Sequence, residues 1–128
     1  MKTLNTTPFP PALAYEGYPE IFRVDYHRGE LRISLSFADR QHPVYVCFES
    51  CRGYRVLDEG DLLNFWNPDT RSQGWLWQVI SGGWIDLEST REGFLSGTLG
   101  YEEYLILGVN DCVSVMANTA PTIYNSDE

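Results

Sequence analysis

Basic residues are scarce in the second half of this sequence. From Asp58 onward only Arg71 and Arg91 oppose twelve acidic side chains, whereas the part up to Leu57 carries seven basic residues against six acidic ones. Affinity for a phosphate backbone comes largely from Lys and Arg displacing counterions, so nucleic acid is not an expected partner. Long apolar runs are missing too. No stretch approaches the length of a transmembrane helix, and "MKTLNTTPFPPALAYEG" offers one lysine and an apolar run broken by prolines, unlike an export signal. No membrane association and a cytoplasmic location are therefore expected. Cysteine is sparse, with Cys47, Cys51 and Cys112 making an odd number; in a chain without a secretion signal they read as reduced thiols rather than a disulfide framework.

Catalytic signatures are absent as well. The sequence has no phosphate-cradling glycine loop, no dinucleotide fingerprint, no HExxH and no nucleophile elbow, and its only histidines are His27 and His42. His42, Cys47 and Cys51 follow an H-x4-C-x3-C spacing, but two cysteines on a strand and its edge rarely converge with a histidine placed before that strand. Cys47 also falls inside an apolar run, where thiolate activation is disfavoured. No calcium loop is present. Neither a cofactor nor a metal is expected, and the chain reads as non-enzymatic.

What the sequence does contain is a core. At 128 residues with 43% hydrophobic and 14% aromatic residues, the chain suits one domain that buries about two thirds of its unfolded surface. Residues 1–20 carry Pro8, Pro10, Pro11 and Pro19 and predict an extended strap pinned by Phe9, Leu13, Tyr15 and Tyr18. "IFRVDYH" and "ELRISLSF" alternate apolar with polar residues on either side of Arg28-Gly29, the pattern of a hairpin with one face buried. "PVYVCFES" is apolar on both faces and predicts a central strand; "RGYRVLD" and "WLWQVIS" follow as strands, the second with Trp75 and Trp77 on one face. Asp61 is positioned to cap a short helical turn through Trp66, and residues 84–94 fit either a helix or a strand. A last hairpin runs over 101–107 and 112–117 before a polar tail at 121–128. The expected fold is mainly β, an antiparallel sandwich or rolled sheet of about seven or eight strands with at most one or two short helices.

Trp84 follows Gly82-Gly83, where the chain turns at the rim of the sheet, and Asp86, Glu88 and Glu92 lie close by in sequence. An aromatic bordered by carboxylates is a candidate anchor for an Arg-rich or Lys-rich protein surface, because aromatic anchors dominate interface energy and acidic neighbours speed encounter. The candidate contact residues are Trp84, Asp86, Glu88, Glu92, Glu102 and Glu103, with Asp58, Glu59 and Asp61 as a second patch. Adjacent carboxylates more often mark a solvated face than an acid and base pair.

The succession "SGGWIDLE", "GFLSG", "EYLILGVNDCVSVMA" and "AP" within 81–121 resembles small cytosolic bacterial proteins, and the overall build resembles immunity proteins of bacterial polymorphic-toxin systems. The resemblance implies a stoichiometric inhibitor that occludes the active site of a basic toxin such as a nuclease; it carries over no inhibitory residue. A different class stays open: a small-ligand-binding or enzymatic β fold with an aromatic pocket built from Trp66, Trp75, Trp77 and tyrosines. A homo-oligomer joined through the strap and strand edges is a third expectation.

Overall fold

Alternation of apolar and polar residues, read along the chain, becomes two antiparallel sheets. The computed structural model describes residues 5–58, 74–81, 83–88 and 100–125. In chain order its strands are β1 (Asn5–Pro8), β2 (Glu20–His27), β3 (Glu30–Ser36), β4 (Val44–Phe48) and β5 (Cys51–Asp58). Then come β6 (Leu76–Ser81), the short helix α1 (Trp84–Glu88), β7 (Glu102–Leu107), β8 (Asp111–Ala117) and β9 (Thr122–Asn125). One sheet runs in the order β1-β6-β7-β8-β5 and the other β2-β3-β4-β9. The expected mainly β class holds, and no helix among the described residues is long and apolar enough to cross a membrane.

The main core lies between the sheets. Leu31, Ile33 and Leu35 of β3 and Val44, Val46 and Phe48 of β4 join Tyr104 and Ile106 of β7 and Val113 and Val115 of β8 in one buried cluster. Each full burial of such a side chain stabilises by about 1.5–3 kcal/mol, an upper figure because an unfolded chain is already partly compact. β4 is internal, between β3 and β9, as its two-sided apolar pattern predicts. Its outward residues Tyr45 and Cys47 are half-buried.

The β2–β3 hairpin turns through Arg28 and Gly29, which have φ of 49° and 87°, with His27 opposite Glu30. Two consecutive left-handed residues give the turn whose twist matches the flanking strands. Glycine accepts that conformation freely, whereas Arg28 bears its steric cost.

Four expectations change. Trp75 and Trp77 do not share a face. Trp75 occupies the bend before β6, so strand alternation begins only at Leu76. Trp75 joins Leu76 in the inter-sheet core, and Trp77 packs with Val79, Leu105, Leu107 and Cys112 on the opposite face of the five-stranded sheet. Both indoles are sealed at 0% exposure, so they do not line a common pocket; Trp66 lies outside the described residues.

The strap is more structured than its prolines imply. Asn5–Pro8 pairs with β6 at the sheet edge, where Pro8 has no ladder bond to lose, and Pro10–Ala14 forms a 3-10 turn. The Trp75 Nε1–H donates to the Ala12 carbonyl at 3.1 Å, and the Trp75 ring meets Phe37 edge-on at 5.3 Å. Phe9 and Tyr15 pack against the core, while Leu13 and Tyr18 are exposed. Within the polar tail, Thr122–Asn125 becomes β9, because Ile123 opposite Val46 packs against the core. In the segment 84–94, Trp84–Glu88 is helical and the remainder lies outside the described residues, as does the turn expected at Asp61–Trp66.

Because Arg28 carries the left-handed strain, Arg28→Asn should raise stability by about 0.5–1 kcal/mol, read as an upward shift in thermal midpoint; a lowered midpoint contradicts the turn geometry.

Candidate functional site

β7 is apolar on both sides, and this sets the problem around which the site is built. Tyr104 and Ile106 face the core between the sheets, Leu105 and Leu107 face the other side, and none of the four exceeds 4% exposure. Glu103 belongs to the same side as Leu105 and is itself 4% exposed. A carboxylate taken out of water in this way must be given donors.

The donors come from α1. The backbone N–H groups of Trp84 and Ile85 donate to Glu103 Oε2 at 2.9 Å and Oε1 at 2.8 Å. These are the first N–H groups of the helix, which have no partner inside it, so a carboxylate from a distant strand serves as the cap. Gly83 makes the approach feasible. A Cβ at this position would come within 2.6 Å of Glu103 Oε2 and 2.7 Å of Val79 Cγ1.

Capped in this way, α1 lays Trp84 over β5. The indole sits above Gly53, where an added Cβ would stand 3.7 Å from the ring and 3.3 Å from Met116 Cε, and the Arg55 guanidinium covers the ring at 5.0 Å. Burial pushes the Arg55 pKa down from its ordinary value, and the negative charges of Glu103 and Glu88 offset part of that shift. Among the described residues Arg55 Nε has no hydrogen-bond partner, and the guanidinium meets the indole face and the charges of Glu103 and Glu88.

Beside α1, at the ends of β6 and β7, lies a cleft of about 210 Å3 lined by Gln78, Ile80, Ile85, Tyr101, Glu102 and Glu103 among others. Glu102 is exposed; its Oε2 accepts from Gln78 Nε2 at 3.0 Å and from the Tyr104 hydroxyl at 3.2 Å. Burial, followed by the Glu102 charge, pushes Tyr104 up to about 12, so the phenol stays a donor. Ile80 is 56% exposed, and Tyr101 already receives the Arg52 guanidinium at 5.8 Å from its centroid.

Of the residues singled out in the sequence, Trp84, Glu88 and Glu103 come together around α1 and Glu102 borders the cleft. Glu103 differs from expectation: it is an internal cap, not a surface contact, because consecutive strand residues face opposite ways and only Glu102 emerges. Trp84 is half-buried under Arg55. Asp86 lies within α1, and Asp58 ends β5 opposite Asp111. Glu59, Asp61 and Glu92 lie outside the described residues. Sequence reading missed Arg55, Gln78, Ile80 and Tyr101. Arg55 had a signal, since it shares a strand face with Gly53 and Leu57 and so lies where a cation needs a partner.

The thiols do not form a site. Cys47 is on the outer face of the four-stranded sheet with its Sγ 3.6 Å from the Tyr124 hydroxyl, while Cys51, in the other sheet, donates to the Gly53 carbonyl at 3.4 Å. His42 is exposed in the β3–β4 connection. Among the described residues no three His, Cys, Asp or Glu side chains are grouped to hold a metal ion. Compared with known proteins, the chain matches no family model, no curated protein and no solved structure.

Two expected outcomes follow from this geometry. Glu103→Ala strands two helix N–H groups and should cost about 1–3 kcal/mol in chemical unfolding; a loss near zero rules out the capping role. Burial pushes the Cys51 thiol up to about 11, so at pH 8 a thiol reagent should modify Cys47 first and reach Cys51 and Cys112 only on unfolding. Equal rates for all three in the native protein would contradict this.

Proposed function

We propose that the chain is a non-enzymatic binding protein whose cleft at the ends of β6 and β7 receives a basic side chain from a protein partner. The observation that carries this reading is the exposed Glu102 carboxylate beside the exposed Ile80 and the ring of Tyr101. Lysine and arginine combine an apolar stem with a charged head, and this cleft supplies a surface for each. Its volume of about 210 Å3 suits a single such side chain. The excess of twelve acidic over two basic residues from Asp58 onward adds a long-range attraction for a basic surface.

The finer reading is an immunity protein that occludes the active site of a basic toxin such as a nuclease, in the cytoplasm of a bacterium. It rests on the resemblance of residues 81–121 and on the charge. Contacts are assigned to Glu102, Asp86 and Glu88, and from the sequence alone to Glu92, Asp58, Glu59 and Asp61; Trp84 contributes through the Arg55-covered indole and Glu103 by holding α1 in place.

Affinity capture from the native host tests the proposal, comparing wild type, Glu102→Lys and Glu16→Lys at low and high salt. A basic protein should be retained by wild type and by Glu16→Lys, and weakened at least about tenfold by Glu102→Lys and by high salt. Equal retention by Glu102→Lys, or capture of no basic protein, overturns it.

A further inference from the structure

From the sequence of one edge strand, we infer that the protein forms a two-fold dimer in which β2 pairs antiparallel with β2 of a second copy, centred on Val24. Among the described residues β2 ends the four-stranded sheet, so one of its sides carries backbone groups that no described strand bonds. The turn Arg28-Gly29 determines which groups those are. In a two-residue hairpin the flanking residues His27 and Glu30 exchange both backbone hydrogen bonds, and alternation then assigns Asp25 and Arg23 to β3. The N–H and C=O of Val24 and Tyr26 point outward.

A symmetric antiparallel pair must be centred on a residue, and the choice of residue decides what meets across the axis. Centred on Asp25, the axis would oppose two like carboxylates. Centred on Val24, it opposes Val24 to its copy through two outward backbone groups and Arg23 to Asp25 twice. An opposite-charge pair is favourable between directly opposed strand residues. β5, the edge that lies alongside through the Tyr26–Tyr54 ring contact at 5.6 Å, has Arg52 and Arg55 with no acid before Asp58 and lacks any such self-match.

Exposure agrees with this match. Tyr26 is 49% exposed, and Tyr54, which meets it, 37%, with Val56 of the same strand as Tyr54 at 45%, so apolar surface runs along two neighbouring edges. Arg23 bonds Asp25 Oδ1 in its own chain through Nε at 2.9 Å, and with 66% of its side chain exposed its remaining donors can reach a second carboxylate. The irregularity between Ile21 and Arg23 leaves the regular edge to begin at Arg23, which accounts for a short match centred on Val24 rather than a long sliding one.

Sedimentation of the full chain over a range of concentrations, with single and mixed charge reversals, tests the inference. Wild type should dimerise. Arg23→Asp alone and Asp25→Arg alone should each weaken dimerisation at least about tenfold, since each sets like charges opposite one another. Mixing the two variants should restore association as a heterodimer. The β2 strand of Arg23→Asp, negative at both positions, then lies opposite that of Asp25→Arg, positive at both, and no effect within a single chain reproduces that. A wild type that stays monomeric throughout, single reversals that dimerise like wild type, or a mixture that fails to associate overturns the inference. Binding through Glu102 is scored separately, since that residue belongs to β7 of the other sheet.

Discussion

A strand flanked by apolar side chains on both faces has no place for a solitary carboxylate, yet β7 places Glu103 there. Most of the site follows from satisfying that one group. Its two oxygens require two donors, the first turn of α1 supplies them, and Gly83 must lack a side chain for the helix to come close enough. With α1 fixed, Trp84 falls over Gly53 and under Arg55. Replacing so buried a charge by an apolar residue of similar shape can be neutral for stability in general, so the value of Glu103 lies in specifying where α1 goes.

The cleft and the cap divide labour between neighbouring residues. Glu103 faces inward and orients; Glu102 faces outward and remains available, though Gln78 and Tyr104 hold its position. A carboxylate fixed before an encounter loses little side-chain freedom on binding, which favours specificity over mere charge attraction. The edge proposed for dimerisation in β2 uses the reverse arrangement, where opposite charges within three residues of one strand make the strand its own complement.

Much of the fold was legible because period-two alternation dominates it. β3 reads directly as Leu31, Ile33 and Leu35 inward and Arg32 outward, and the Arg28-Gly29 turn fixed the register. Alternation fails where its starting point is hidden. Nothing in "GWLWQ" says that Trp75 sits in a bend, so a count begun one residue early sent Trp75 and Trp77 to one face. β1 and β9, of four residues each, are too short for periodicity to announce, and only long-range pairing defines them. The charge excess drew attention to residues 84–103, but residue type alone cannot separate a surface acid from an internal cap. Applying alternation to the Glu102-Glu103 pair would have shown that only one could emerge beside Leu105.

The pairing of β9 with β4 has a consequence for how the molecule comes into being. Val44 lies opposite Asn125 and Thr7 opposite Gln78, so each sheet is closed by partners far apart in the chain. During synthesis β4 is made long before β9 exists, and its flank must wait, unpaired, while the intervening strands emerge. Such distant closures are slow, because chain entropy is spent before the contacts repay it. The nascent chain therefore passes through a stage with the outer groups of Val44–Phe48 open to any passing strand, a stage at which a cell's holding chaperones would find their substrate.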